Sequence, residues 1–238
     1  MSSQHVVIIG GTSGIGRAAA RLLKERGMQV TVAGRNAGKL AAVAKTIDGI
    51  ATVALDAREP AALSAAFAAM GTVDHLVLAL GGNRGMGPVG VLSLDDLWAP
   101  FEDKVYPHLA CIQAALPVLH PDGSITLISA VSAQAAMPGT AGLGAANAAI
   151  EALVPILAAE LKPIRVNAVS PGVIDTEWWG FLPASQKAAA FAGFAAKTPV
   201  GRIGTADDVA MAIAFLVQDT FVNAHVLTCD GGARLAAA

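Results

Sequence analysis

The chain has little cysteine, little charge and few aromatic side chains for its 238 residues. Two cysteines, Cys111 and Cys229, are too few for a disulfide framework, so a reducing compartment is expected. No signal peptide precedes the first apolar run, and we therefore expect a cytoplasmic protein. A formal net charge of −2 argues against a surface for nucleic acid or for an anionic membrane. With 14% charged and 54% hydrophobic residues, the chain is too apolar to be disordered.

One long stretch without charged residues, from Gly123 to Ile150, has a composition that suggests a membrane span. Pro138 and Gly139 interrupt it, together with several polar side chains, whereas a spanning helix needs roughly 20 continuous apolar residues. We therefore expect a buried strand, a loop and an interface helix here, and no membrane partner.

Short β-branched runs alternate with longer helical segments along the chain. The runs are Val6–Ile9, Gln29–Ala33, Ala51–Leu55, His75–Leu80, Ser124–Ile128, Arg165–Val169 and Val226–Thr228. The helical segments are Gly14–Gly27, Ala37–Ile47, Pro60–Met70, Leu94–Leu119, Ala141–Leu161, Ser185–Ala196 and Ala206–Val217. Such apolar strands are typical of parallel sheets covered on both faces, and the alternation favours right-handed βαβ units. The sequence predicts one α/β domain over residues 1–238, a Rossmann-type doubly wound parallel seven-stranded sheet with helices on both faces.

The segment Leu94–Leu119 contains two prolines, Pro100 and Pro107. Because Pro107 has no N–H to donate to the carbonyl of Asp103, a regular helix cannot run through this point. Either the helix kinks one turn from Lys104, or one helix ends here and another begins.

A glycine-rich turn, Gly10-Gly11-Thr12-Ser13-Gly14-Ile15-Gly16, joins the first strand to the first helix. Glycines let the backbone turn tightly and approach a bound diphosphate, while the helix directs its free N–H groups at the negative charge. Strand, glycines and helix within one βαβ unit predict a dinucleotide site. A tight turn without a ligand is the alternative.

The end of the second strand indicates which dinucleotide would bind. NAD-binding folds carry an acid there for the ribose hydroxyls, but this chain has Gly34 followed by Arg35. A guanidinium can bind a 2′-phosphate through two hydrogen bonds, whereas an acid would repel it. Ser13 could add a hydroxyl, and Arg17 and Lys39 positive charge, so the prediction is NADP(H). The alternative for Arg35 is a solvated surface charge.

The G-x-x-x-G-x-G spacing of the glycine-rich turn resembles that of the short-chain dehydrogenase/reductase family. The resemblance to this family extends over nearly the whole chain. Further matches are Asp56, Arg165-Val166-Asn167, Ser170-Pro171-Gly172 with Thr176, Gly201-Arg202-Ile203-Gly204, Asp208-Val209 and Asp230-Gly231-Gly232. The resemblance implies that Asp56 contacts the adenine amine and that Val173 to Thr176 meet the nicotinamide carboxamide. The predicted cofactor-binding residues are Gly10, Thr12, Ser13, Gly14, Ile15, Gly16, Arg35, Asp56, Gly81, Asn147, Pro171, Gly172, Val173 and Thr176.

The same motifs fix the positions of the family's catalytic residues: a Ser, a Tyr four residues before a Lys, and an Asn on the preceding helix. By this resemblance the Ser position holds Ala130, the Tyr position Leu143, the Lys position Asn147 and the Asn position Lys104. The only tyrosine of the chain is Tyr106, so no shifted Tyr-x-x-x-Lys pair exists. The family's proton relay is therefore missing.

Lys104 and Asn147 have thus exchanged places relative to the family, whose corresponding side chains approach each other across the site. Our hypothesis is that Lys104 supplies the cation from the opposite wall of the cleft and that Asn147 binds ribose hydroxyls. Ser132, two residues past Ala130, is a third catalytic candidate. The alternatives are a solvent-exposed Lys104 and an ordinary loop serine.

Trp178 and Trp179 follow Thr176, where the family has a mobile substrate lid, and packing against a partner subunit is the alternative. No Cys/His spacing or paired carboxylates predict a metal site. The sparsely charged helices Leu94–Leu119 and Ala141–Leu161 predict, by resemblance, a homodimer or homotetramer.

Three functions remain open from the sequence, all with a small-molecule ligand. The first is an NADP(H)-dependent oxidoreductase with an atypical proton relay, acting on a carbonyl, an alcohol or an activated double bond. The second is a catalytically silent cofactor-binding protein. The third is non-redox chemistry, such as isomerisation or elimination, with Lys104 as acid or base.

Overall fold

A parallel seven-stranded sheet forms the centre of the computed structural model, which describes residues 3–235. The strands are β1 (His5–Ile9), β2 (Gln29–Gly34), β3 (Ala51–Ala54), β4 (Val73–Leu78), β5 (Leu119–Ile128), β6 (Arg165–Pro171), β7 (Ile174–Asp175), β8 (Gly204–Thr205) and β9 (Val226–Cys229). Their order in the sheet is β3-β2-β1-β4-β5-β6-β9. The order reverses between β1 and β4, and the carboxyl ends of the strands diverge there to leave a crevice.

Helices cover both faces of the sheet. They are α1 (Gly14–Glu25), α2 (Ala37–Thr46), α3 (Pro60–Met70), α4 (Leu94–Pro100), α5 (Tyr106–Ala115), α6 (Ala141–Glu160), α7 (Ala184–Lys197) and α8 (Ala206–Gln218). One face packs on α1, α2 and α8 through side chains such as Leu23 and Ile213, and the other packs on α3, α5 and α6 through Phe67 and Ile150. The predicted doubly wound fold is confirmed.

Some strand boundaries differ from the prediction, and one small ladder was missed. β4 ends at Leu78, because the backbone that follows, up to Leu80, leaves the sheet to line the crevice. β5 begins at Leu119, and the register shift against β4 shows that the segment before Ser124 bulges out of the ladder. The separate parallel pair of β7 and β8 has only two residues on each strand, too few for a periodic signal in the sequence.

The predicted interruption near Pro107 is a π-helical turn, Phe101–Val105, between α4 and α5. The Tyr106 N–H bonds to the Phe101 carbonyl, five residues back. The π turn inserts an extra residue at the point where Pro107 removes the regular partner of the Asp103 carbonyl. Of the two alternatives for Leu94–Leu119, the structure has the second: two α-helices are joined by this turn, with a final 3₁₀ turn at Leu116–Val118.

Helix α6 is long and apolar enough to cross a membrane by length and composition alone. Core helices of globular proteins also meet that criterion, and α6 packs Ala146, Ile150, Val154 and Leu157 into the core beneath the sheet. Its composition therefore follows from its place against the sheet.

His75 makes stability depend on pH. The imidazole is buried within β4, its Nδ1 lies 2.9 Å from the Ser124 hydroxyl, and burial lowers its pKa to about 4. The unfolded chain takes up this proton near pH 6.5 and the folded chain only near pH 4. The contribution of His75 to the free energy of unfolding is therefore fully present above pH 6.5. It falls by up to about 3 kcal/mol as the pH drops toward 4.

The expected result for His75→Gln is a flatter acid limb in urea unfolding between pH 7 and pH 4.5. His225→Gln, at an exposed site just before β9, is the matched control and should leave the slope unchanged. Equal slopes for wild type and His75→Gln would contradict this assignment.

Candidate active site

The carboxyl ends of β1, β4, β5 and β6 open onto one cleft. Of the predicted residues, the cleft is lined by Ser13, Ile15, Gly16, Gly81, Lys104, Ala130, Ser132, Leu143, Asn147, Pro171, Gly172, Val173 and Thr176. An adjoining groove is lined by Gly10, Thr12, Arg35 and Asp56, and shares the segment from Ala79 to Gly82 with the cleft. Gly14 faces neither: it lies in a third depression beside Arg17 and Glu177.

The glycines of the first turn are required by close backbone contacts. Gly10 has φ +84°, and a Cβ there would run into the Ala79 carbonyl. A Cβ on Gly16 would run into the Gly10 carbonyl, so the turn lies flat against the start of α1. Since Ser13 makes no side-chain cap, the first N–H groups of α1 at Ile15 and Gly16 are left for a ligand in the cleft. This cradle fits a diphosphate.

Sterics at the end of β2 disfavour an acid. A Cβ on Gly34 would come within 2.8 Å of Thr12 Cγ2, so a carboxylate there would require Thr12 to move. The next side chain, Arg35, is exposed and lines the groove. A guanidinium in this place suits a phosphate on a ribose.

Arg58 is a groove residue that the sequence reasoning missed. Its guanidinium binds Asp56 with Nη2–Oδ2 at 2.7 Å and Nε–Oδ1 at 3.1 Å, and this pairing lowers the pKa of Asp56 to about 2. The local signal was a basic residue two positions after the aspartate. Arg17, by contrast, was a predicted source of charge for the phosphate, but its guanidinium is paired with Glu177 at 2.9 Å.

Lys104 lies on the π turn with its side chain directed inward, and the residue is 7% exposed. Its Nζ donates to Asn147 Oδ1 at 2.5 Å and to the Ser129 carbonyl at 3.3 Å. Asn147 Nδ2 in turn donates to Ser132 Oγ at 3.0 Å. The three candidate catalytic residues therefore form one hydrogen-bonded chain, with Leu143 lining the same cleft.

Burial also changes the acidity of Lys104. Burial removes the Lys104 ammonium from water and lowers the pKa of Lys104 to about 7. The Glu151 carboxylate has a smaller effect that raises this pKa. An amine with this pKa carries its proton about half of the time at neutral pH. It can therefore either give or take a proton at the pH at which most enzymes work.

His108, one turn from Lys104, is held by the backbone. Its Nδ1 lies 2.7 Å from the Lys104 carbonyl and its Nε2 3.1 Å from the Leu78 carbonyl. Burial, with the nearby Lys104 charge, lowers the pKa of His108 to about 3, so the ring is neutral. Its contacts join the π turn to the end of β4.

The segment after Thr176 crosses the cleft. Trp178 Nε1 donates to the Gly82 carbonyl at 3.0 Å, and Trp179 Nε1 donates to the Ile174 carbonyl at 2.9 Å. Glu177 accepts the Gly14 N–H at 3.0 Å and pairs with Arg17. Both tryptophans line the cleft, which favours a lid over a contact with a partner subunit.

Within residues 3–235, no group of three His, Cys, Asp or Glu side chains is placed to hold a metal ion.

Comparison with known proteins identifies the scaffold. A family model described as enoyl-(acyl carrier protein) reductase matches residues 10–234. The short-chain dehydrogenase/reductase ATR9 of Stachybotrys chlorohalonatus is 30% identical over 98% of this chain and 97% of its own length. The chain belongs to the short-chain dehydrogenase/reductase family. Carbonyl reductase family member 4 of Danio rerio is 31% identical over 98% of this chain and 99% of the relative.

A solved short-chain dehydrogenase/reductase relative adds structural agreement. A small-chain dehydrogenase in complex with NADPH superposes with a TM-score of 0.88 and 32% identity, over 98% of this chain and 100% of that one. The family's oxidoreductase scaffold is thus present over nearly the whole chain. The residues predicted from the sequence to occupy the family's Ser, Tyr and Lys positions, Ala130, Leu143 and Asn147, lie together in the cleft.

Proposed function

We propose that the protein is an NADP(H)-dependent oxidoreductase that acts on a small carbonyl, alcohol or activated double bond through a relay of Lys104, Asn147 and Ser132. The observation that carries the proposal is the 2.5 Å contact between Lys104 Nζ and Asn147 Oδ1 inside the cleft. An ammonium and an amide are thereby kept together where the family has the same two groups on exchanged positions.

The residues of the groove fit NADP(H). The glycine cradle would hold the diphosphate, Arg35 would bind the 2′-phosphate and Asp56, held by Arg58, would accept from the adenine amine. Pro171 to Thr176 border the nicotinamide end of the cleft. When bound, the cofactor supplies or accepts the hydride. A relative of 32% identity was solved with NADPH, which supports this choice.

Ser132 would polarise the substrate oxygen. Because its Oγ accepts the amide proton of Asn147, its own O–H is free to donate into the cleft. A donor aimed at a developing oxyanion stabilises the transition state. Lys104 uses two N–H groups on Asn147 and Ser129, and the third can serve an oxygen in the cleft. Its near-neutral pKa lets it deliver the proton that completes reduction.

The cleft walls indicate an apolar substrate. Leu143 occupies the Tyr position, and Met86, Met137, Val173 and Trp178 line the space around it. Apolar walls exclude water and strengthen the few polar contacts that orient a ligand.

A titration followed by a substrate panel tests the proposal. Tryptophan fluorescence is followed while NADPH or NADH is added, and apolar ketones, aldehydes and enones are then offered with the preferred cofactor. Tight NADPH binding with turnover supports the oxidoreductase. Tight binding without turnover on any substrate favours the catalytically silent protein, and product formed without NADPH consumption favours non-redox chemistry.

Loss of the Trp178 hydrogen bond is expected to weaken closure of the lid. Trp178→Phe keeps an aromatic ring over the cleft but removes the N–H that reaches the Gly82 carbonyl. A hydrogen bond of this kind contributes about 0.5–1.5 kcal/mol, so NADPH should dissociate about 3–10-fold faster in stopped-flow measurements. Trp98→Phe, at a half-exposed site outside the cleft, is the control. Identical dissociation rates for wild type and Trp178→Phe would rule out this contact as a closure device.

Exposed apolar side chains favour a homodimer or homotetramer. Leu94, Trp98, Tyr106 and Ile156 lie on α4 to α6 and are between 49% and 83% exposed in the single chain. Burying them against a second copy would remove this surface from water. Light scattering at micromolar concentration should give at least twice the chain mass; a monomer would contradict this assembly.

A further inference from the structure

We propose that Glu151 is a positioning residue that favours the protonated form of Lys104 and holds it in place. The inference rests on the proposed function, because it concerns the proton that Lys104 would deliver. The support comes from the hydrogen bonds of one half-buried carboxylate behind the cleft.

Glu151 gathers donors from three parts of the fold. Its Oε1 accepts from the Ser129 hydroxyl and the Ser170 hydroxyl, each at 2.8 Å, and its Oε2 accepts from Gln134 Nε2 at 2.8 Å. Ser129 and Ser170 are buried at the ends of β5 and β6, so their hydroxyls need a partner inside the protein. The carboxylate thus ties both strand ends to α6.

The same contacts lead to Lys104. Glu151 lies one helical turn after Asn147 on α6, and residues four apart share a helix face. Ser129 binds Glu151 through its hydroxyl and Lys104 through its carbonyl. Lys104 is therefore held by two acceptors: Ser129, whose hydroxyl binds Glu151, and Asn147, which lies one helical turn from Glu151 on α6.

The charges around Lys104 leave Glu151 as its countercharge. His108, from α5, is neutral, since burial and the Lys104 charge lower its pKa to about 3. Asp103, on the π turn, is bound by Arg84 through two contacts of 2.6 Å. Of the charged groups described around Lys104, only Glu151 favours its ammonium form.

Competitive labelling measures the effect without any turnover. Trace acetic anhydride acetylates only neutral amines, so the pH at which Lys104 reaches half of its full reactivity reports its titration. Mass spectrometry gives this midpoint relative to the exposed Lys45 in the same sample. In Glu151→Gln the midpoint should fall by about one pH unit, because an opposite charge nearby favours the charged amine.

Matched variants separate charge from hydrogen bonding. Ser170→Ala removes one donor and keeps the carboxylate, and Glu160→Gln removes a charge from the exposed end of α6. Both should leave the midpoint within about 0.3 unit of wild type, since each keeps the Glu151 charge. If Glu151→Gln does not fold, Gln134→Lys keeps a donor to Glu151, adds a positive charge beside it and should lower the midpoint. An unchanged midpoint in the folded variant of this pair overturns the inference.

The labelling result and the turnover test of the proposed function can each fail without the other. A lowered midpoint in a protein that turns over no substrate would support the role of Glu151 and reject the enzyme. A fixed midpoint in an active enzyme that depends on Lys104 would do the reverse.

Discussion

Lys104→Met is expected to lower kcat by about 10²–10⁴-fold, the usual contribution of a general acid or base. Methionine has nearly the length of the lysine side chain without its amine, so the proton donor is lost while the volume at the buried site is kept. NADPH affinity should stay within about twofold, because Lys104 does not line the groove of Arg35 and Asp56 that would hold the 2′-phosphate and the adenine.

Stability measurements exclude a trivial explanation for this loss. Replacing a buried amine by an apolar group of similar size is often neutral or stabilising, so urea unfolding should show no large destabilisation. Lys45→Met, at an exposed site on α2, is the matched control and should keep full activity. A Lys104→Met protein with wild-type kcat would contradict the proposed relay.

Arg35→Ala is expected to weaken NADPH binding by about 10–100-fold and to leave NADH binding nearly unchanged. The reason is that Arg35 would bind only the 2′-phosphate, and hydrogen bonds to charged groups contribute about 1.5–3 kcal/mol. Isothermal titration with both cofactors gives the ratio of affinities directly. The affinity for 2′,5′-ADP, which carries the same 2′-phosphate, should fall in Arg35→Ala as the affinity for NADPH does.

Arg17→Ala is the control for charge in general. Its guanidinium binds Glu177 outside the groove, so its loss should leave the ratio of NADPH to NADH affinity unchanged. Equal weakening of NADPH and NADH by Arg35→Ala would show that this side chain does not discriminate between them.

The sequence was sufficient where short motifs fix the register. The glycine turn follows a strand and opens a helix, and parallel-sheet geometry then requires its position at the cleft. The pairing of Lys104 with Asn147 could be anticipated from the family resemblance, because the corresponding side chains of the family approach each other across the site. Asn147 reaches Lys104 from a regular part of helix α6.

The contacts that were missed join residues far apart in the chain or depend on backbone detail. Glu177 meets Gly14 across 163 positions, and Trp178 meets Gly82 across 96. No local pattern records such a meeting. The π turn is a compromise around Pro107 that propensity rules describe only as a break. The three donors of Glu151 come from separate elements, so no local pattern in the sequence indicates them.

Transfer of a labelled hydride tests the central claim most directly. The protein is incubated with the panel of apolar carbonyl compounds and NADPH deuterated at the transferable C4 position, and products are analysed by mass spectrometry. The proposed oxidoreductase should give an alcohol or a saturated product one mass unit heavier than with unlabelled NADPH, and Lys104→Met should give little of it. A product without deuterium, or NADPH binding without any product, would contradict hydride transfer at this site.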